Sequence, residues 1–366
     1  MLDADKGILY RGVSIHECFS SMGEKASPEG ILWLFLTTQM PSSAQITDLS
    51  AHLRARGRTL PQFVFRCIDS LPEESHPLAQ LVCGIMALQS RSKFAEAYSS
   101  GSLPVSGLWE PALEDCLDLI ARLPILAAYI YRRAKNKPTL ELEANLGGGG
   151  DGKGSLEHEQ LSHDLETESG GSEPSRNIEQ NSELGKDGFE PNLDQEYDLA
   201  SMFCHMLGFD DPKMCDMMRM YMVIHSDHEG GAASSHAVRL VGSTLSDPYL
   251  AFASGMNACA GPLHGLAIQE SFKWIKQVSE QVEGGMNATK ESLEAYVRRT
   301  LEAGHIIPGF GHALMKGTDP RYECLYKFCE ANFPEDPYFR LLSKLGEVVP
   351  HVMKMQGKVR NPWPNV

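Results

Sequence analysis

The chain has 366 residues, with 33 basic and 48 acidic side chains and a formal net charge of −15. That length can bury a large core and usually divides into two domains, while the acidity excludes general nucleic-acid binding, which needs a basic face. No apolar run approaches the roughly 18–20 residues of a membrane helix. The nine cysteines, odd in number and without a CxxC pair, read as reduced thiols of a reducing compartment.

In chain order, the opening "MLDADKG" is acidic and has neither the apolar core of a signal peptide nor the Arg-rich pattern of a transit peptide. "GILYRGVSI", residues 7–15, is the one stretch that reads as a short β element. "DCLDLIARLPILAAYIYRRA" puts apolar residues at helical spacing, and Pro124 within it predicts a break or kink. Residues 141–196 change character: 15 acidic residues, 3 basic ones and a single aromatic, Phe189. So little apolar surface cannot offset the entropy of ordering, which predicts a disordered surface insertion. His158 and His163 inside it are expected to be solvated. Beyond it, "DLASMFCHMLGF" and "KMCDMMRMYMVIH" are helical again, and Met214, Met217, Met218, Met220 and Met222 read as core packing rather than a metal box. Asp-Pro occurs at 211–212, 247–248, 319–320 and 336–337. Asp as N-cap with Pro at the first helical position predicts four helix starts. With no alternating β/α pattern and no repeat, the expected fold class is all-α.

Three stretches carry unusual polar chemistry. In "HSDHEGGAASSHAVRL", His225 ends an apolar helix, His228 lies in the following loop and His236 sits in the next helix. The spacings match no zinc ligand set, so no metal is expected; an imidazole facing an anionic substrate fits better, although His225 and His236 taken singly read as structural. In "DPYLAFASGMNACAGPLHGLAIQE", Pro262 is expected to start a helix with His264 in its first turn. The positive helix end there favours a neutral imidazole, the species that polarises a carbonyl while an enol forms. In "GHIIPGFGHALMKGTDPRY", Pro308, Gly309 and Gly311 make a tight loop around Phe310, from which His312 emerges, with Lys316 beyond it. Arg321 follows Asp319-Pro320 in the first turn of a helix. A cation there opposes the dipole and is expected to clamp a carboxylate.

Together "LDADKGILYRGVSIHEC", "IHSDHEGG", "LVGSTLSDPYLAFASGMNACAGPLHGLAIQE", "IIPGFGHALMKGTDPRY" and "QGKVRNPWPNV" resemble the citrate synthase family of the eukaryotic mitochondrial type, over essentially the whole chain except the insertion. The resemblance implies an all-α homodimer in the mitochondrial matrix, each subunit having a large and a small domain. On that pattern 1–140 and 197–264 form the large domain, 265–366 the small one, and 141–196 the insertion. The implied reaction joins acetyl-CoA, a substrate rather than a cofactor, to oxaloacetate. Carried over residue by residue, His264 stabilises the enol and His312 polarises the oxaloacetate carbonyl. His228 and Arg321 hold oxaloacetate. Ile307, Pro308, Gly309, Phe310 and Gly311 lie along CoA, and Lys316 stands where animal members usually have an arginine near its phosphates. In the family the general-base aspartate directly follows "NPWPNV", which places it beyond Val366, and a longer helical region precedes "LDADKG". The expectation is a chain cut at both ends, with little or no synthase activity by itself. Two other readings share these motifs: a 2-methylcitrate synthase using propionyl-CoA, one methylene larger, and an inactive paralogue that binds CoA or a partner.

Overall fold

The computed structural model describes residues 2–23, 26–137, 197–227, 230–312, 315–357 and 361–365. The expected insertion at 141–196 lies outside the described residues, as does His228.

The N-terminal stretch forms a small antiparallel sheet, β1 (Leu2–Asp3), β2 (Gly7–Tyr10) and β3 (Val13–Ser14), with Leu2 opposite Ile8 and Tyr10 opposite Val13. Arg11 and Gly12 take φ of 52° and 91° to reverse the chain between β2 and β3, as a tight hairpin requires. Everything else regular is helical: α1 (Ile15–Met22), α2 (Pro28–Thr37), α3 (Ser43–Arg56), α4 (Gln62–Asp69), α5 (Pro77–Leu88), α6 (Lys93–Ser100), α7 (Trp109–Ala134), α8 (Leu199–Leu207), α9 (Pro212–Ile224), α10 (Ala233–Gly242), α11 (Pro248–Cys259), α12 (Ala267–Gln281), α13 (Lys290–Glu302), α14 (Pro320–Asn332) and α15 (Pro337–Gln356). The fold is all-α, as the sequence predicts.

The four Asp-Pro signals start α9, α11, α14 and α15. In each, the Asp carboxylate accepts a first-turn amide and Pro occupies the position whose N–H would have had no partner. Pro124 behaves differently from the expected break: α7 runs through it without interruption. The missing N–H costs about 3 kcal/mol, but Ala121, Ile125, Leu126 and Ala128 around it are all fully buried. Large apolar side chains contribute about 1.5–3 kcal/mol each on burial, so packing outweighs the lost bond.

Three larger cores and a small one between α3 and α7, around Leu53, Leu117 and Ala121, organise the described helices. The largest joins α4, α5, α7, α8 and α11 through Val64, Ile85, Ile125, Met206 and Tyr249. A second lies under the sheet, where Ile8, Tyr10, Ile15, Ile31, Val223 and Cys324 bring β2, α1, α2, α9 and α14 together. The third is built from the C-terminal part alone: Trp274, Val278, Leu293, Val297, Leu345 and Val349 of α12, α13 and α15, with Ile307 packed among them. Of the methionine cluster, Met218 packs on the first core and Met220 on the second. Helix α8 also starts with outside help: its Asp198 N-cap is bonded by Arg219 of α9, and Glu29 of α2 accepts the Leu199 N–H at 2.7 Å.

Candidate active site

His264 does not stand in the first turn of a helix. Residues 262–266 are turns and α12 begins at Ala267. The reason is local: the chain folds back on the end of α11, whose last residue takes the Gly265 amide while the turn itself takes the His264 amide. Gly265 N–H bonds Cys259 O at 3.0 Å, and His264 N–H bonds Gly261 O at 3.0 Å. A Cβ on Gly265 would lie 2.5 Å from the Cys259 carbonyl oxygen, so only glycine permits this fold-back. The imidazole is thereby held against α10, where His264 Nε2 meets Ser234 Oγ at 2.8 Å. Sequence reasoning missed Ser234. It sits one turn ahead of Val238 on a short helix, and nothing in its spacing marks a partner thirty residues away.

His312 leaves the loop as expected. Gly309 and Gly311 adopt φ of 80° and 89°, the left-handed region that favours glycine. Ile307 is buried in the C-terminal core, with Phe310 packed at its edge. His312 Nδ1 accepts the Met315 N–H at 3.0 Å. A nitrogen that accepts cannot carry the proton, so a neutral His312 has its proton on Nε2 and can donate one hydrogen bond from there. Lys316 pairs through Nζ with Asp5, 3.2 Å from either carboxylate oxygen, and both side chains are exposed. Its N–H bonds Ala4 O at 2.9 Å, which brings the N-terminal sheet against this loop.

Across the loop lies the last described stretch of the chain. Gly311 N–H bonds Trp363 O at 3.0 Å, His312 N–H bonds Asn361 O at 3.3 Å, and Asn365 N–H bonds Gly309 O at 3.0 Å. Phe310 and Pro364 form an antiparallel bridge. The Trp363 indole N–H donates to Lys316 O at 2.8 Å, and Lys354 Nζ lies 3.8 Å from the centre of its ring.

Arg321 is 2% exposed and Asp319 fully buried. The guanidinium does clamp a carboxylate, but it is that of Asp319: Nε lies 3.0 Å from both oxygens and Nη2 2.6 Å from Oδ2. Buried nearby is Tyr10, whose hydroxyl donates to Val223 O at 2.7 Å. Burial pushes its phenol well above the ordinary range, and the charges of Arg321 and Asp227 both act on it. Tyr10 therefore links Arg321 to the turn after α9 that ends at Asp227. Beside that turn opens a cleft of about 640 Å³ lined by Arg11, Gly12, Phe35, Ser226 and Asp227. His225 caps α9, its Nδ1 2.8 Å from Tyr221 O, and His236 lies exposed on α10.

The predicted residues thus fall into three groups: His264 with Ser234, His312 and Lys316 with the 361–365 strip, and Arg321 with Tyr10 and the α9 turn; the Asp319 N–H on Pro364 O at 3.2 Å joins the last two. Among the described residues no group of three or more His, Cys, Asp and Glu side chains could hold a metal, and no helix is long and apolar enough to cross a membrane.

The family model "Citrate synthase, C-terminal domain" matches residues 1–366. The chain belongs to the citrate synthase family. It is accordingly an enzyme of the acyl-transferring kind. A mitochondrial citrate synthase of Citrus maxima is 44% identical over 372 residues, covering all of this chain and 67% of the relative. Citrate synthase 4, mitochondrial, of Arabidopsis thaliana is 44% identical over 371 residues with the same coverage. The chain therefore spans about two thirds of the length of these relatives. Among solved structures, citrate synthase from Pyrobaculum aerophilum superposes with a TM-score of 0.73 at 23% identity, covering all of this chain and 76% of that one. That from Thermoplasma acidophilum, in a ternary complex with carboxymethyl coenzyme A and oxaloacetate, gives 0.69 at 21%, covering all of this chain and 77% of that one. At such identities the likeness establishes the fold.

Proposed function

We propose that this chain acts as a citrate synthase, in which His264 and His312 act on acetyl-CoA and oxaloacetate during their condensation to citrate and CoA. One observation carries the reading: the Met315 N–H fixes the proton of neutral His312 on Nε2, which makes that nitrogen a hydrogen-bond donor without a net charge. A neutral donor aimed at a ketone oxygen stabilises the alkoxide that forms as the new carbon–carbon bond closes. The proton to be removed belongs to a thioester methyl, a very weak acid, so the general base needs a polarised thioester oxygen as well. Held by Ser234, His264 takes that second task.

In this reading the loop Ile307 to Gly311 lies along CoA and Lys316 meets its phosphates, after exchanging Asp5 for them. Arg321 and His228 serve oxaloacetate, with Arg321 sharing its charge between substrate and Asp319. The core of α12, α13 and α15 is the small domain, while α14 ties it to the sheet. The names of the relatives support a mitochondrial address, and the family resemblance supports a homodimer with no cofactor. The propionyl-CoA and inactive-paralogue readings are not favoured, since relatives at 44% identity are named citrate synthases. The experiment is infrared spectroscopy of carbonyl-labelled oxaloacetate bound to the 366-residue chain. A lowered ketone stretch that His312→Ala restores to its solution value supports the reading; an unshifted stretch in the parent chain overturns it.

A further inference from the structure

The geometry points to Asn361 and Asn365 as positioning residues for His312, acting through the backbone of its loop; this rests on the role given to His312 above. The loop has little stiffness of its own, because Gly309 and Gly311 both sit at positive φ and glycine has the most backbone freedom to lose. The strip opposite is stiff for the converse reason. Pro362 and Pro364 each lock φ near −65° and donate nothing, which leaves Asn361, Trp363 and Asn365 as its amide-bearing members.

Those members spend their polar groups on the loop. Asn361 and His312 bond reciprocally: His312 N–H to Asn361 O, and Asn361 Nδ2 to His312 O, both 3.3 Å. Asn365 grips twice, through its N–H to Gly309 O at 3.0 Å and through Nδ2 to Gly311 O at 2.5 Å. Trp363 holds the far side, its indole N–H on Lys316 O at 2.8 Å. Both ends of the segment from His312 to Lys316 are thus fastened to one rigid strip, and within that segment the Met315 N–H sets the ring tautomer. An alanine at 361 or 365 retains the backbone bonds and removes one carboxamide grip, so the segment loosens without losing its place. The Met315 N–H then no longer holds Nδ1 at all times, and the ring populates both tautomers.

The experiment is long-range ¹H–¹⁵N correlation of the His312 imidazole in the ¹⁵N-labelled 366-residue chain, recorded where the ring is neutral and assigned by its loss in His312→Gln. The parent chain should show a single Nε2–H tautomer. Asn361→Ala and Asn365→Ala should shift both ring nitrogens toward the averaged values of mixed tautomers, with oxaloacetate binding at least threefold weaker by calorimetry. Trp363→Phe keeps an aromatic face for Lys354 while removing the indole N–H bond to Lys316 and part of the ring area, so it should give a smaller shift in the same direction and serves where an asparagine variant fails to fold. An unchanged single tautomer in the folded variants would overturn the positioning role while leaving the reading of His312 intact. An Nδ1–H tautomer in the parent chain would overturn that reading itself.

Discussion

Replacing Asp319 by alanine should be among the most destabilising single changes available in this chain. The carboxylate is fully buried, receives Nε and Nη2 of Arg321 at 2.6–3.0 Å, and accepts the Arg321 N–H at 2.9 Å as N-cap of α14. Truncation leaves a guanidinium that is 2% exposed without its counter-charge. Breaking a buried pair from one side costs about 3–5 kcal/mol, and a lost N-cap costs about 1 kcal/mol. The two overlap, because one carboxylate does both jobs, so the net loss should be about 3–5 kcal/mol, a large share of the 5–15 kcal/mol typical of a domain. Urea unfolding followed by circular dichroism reads this as a fall in midpoint at constant slope. Asp319→Asn keeps an oxygen for the cap and loses the charge, so it should fall between parent and Asp319→Ala. Replacing both partners with apolar side chains, Asp319→Leu with Arg321→Met, should recover most of the loss, since it is the orphaned charge that is costly. A loss under about 1 kcal/mol for Asp319→Ala, or a double variant no better than the single one, would refute the reasoning.

Two further outcomes follow from charged groups elsewhere. Burial raises the carboxyl of Glu29 above its ordinary value of 4.5, with the Leu199 N–H opposing and Asp198 adding to the shift. A raised acid binds its proton more tightly in the folded state, so its ionisation costs the fold nothing below the ordinary value of 4.5, costs progressively more as the pH rises above it, and costs its full amount beyond the folded value. Glu29→Gln should therefore stabilise the chain at pH 7.5 and lose that advantage near pH 4.5; thermal unfolding at the two pH values checks it, and an equal effect at both would contradict it. Asp5→Asn should free Lys316 for an incoming phosphate and tighten CoA binding. Exposed pairs are weak, so the gain measured by calorimetry should be at most about fivefold and should vanish in high salt; weaker binding would contradict it.

What the sequence revealed was what its local chemistry dictates. The Asp-Pro starts of α9, α11, α14 and α15 were legible because N-cap and proline act on the residues next to them. The short β element at 7–15 was legible from its β-rich run, whereas its division into two strands by the turn at Arg11-Gly12 came only with the structure. The start of α12 was misread because Pro262, without an Asp N-cap before it, sits in a fold-back where Cys259 O takes the Gly265 amide and Gly261 O the His264 amide. Pro124 does not break α7, since burial around it offsets the missing bond. Arg321 was expected to clamp a substrate carboxylate, and no spacing rule said that the Asp319 carboxylate would occupy its guanidinium. The family motifs gave His264, His312 and Lys316; Ser234, Asp5 and the asparagines of the 361–365 strip are set by contacts between segments distant in sequence, and those emerge only in the folded chain.

The central claim is that a neutral His312, protonated on Nε2, polarises the ketone of oxaloacetate. Isotope-edited infrared difference spectra of the bound, ¹³C-labelled ketone test it most directly, with His264→Ala as the control that leaves this carbonyl untouched. The account predicts a lowered stretch in the parent chain and in His264→Ala, and the solution frequency in His312→Ala. A stretch that stays lowered without the His312 imidazole would contradict it.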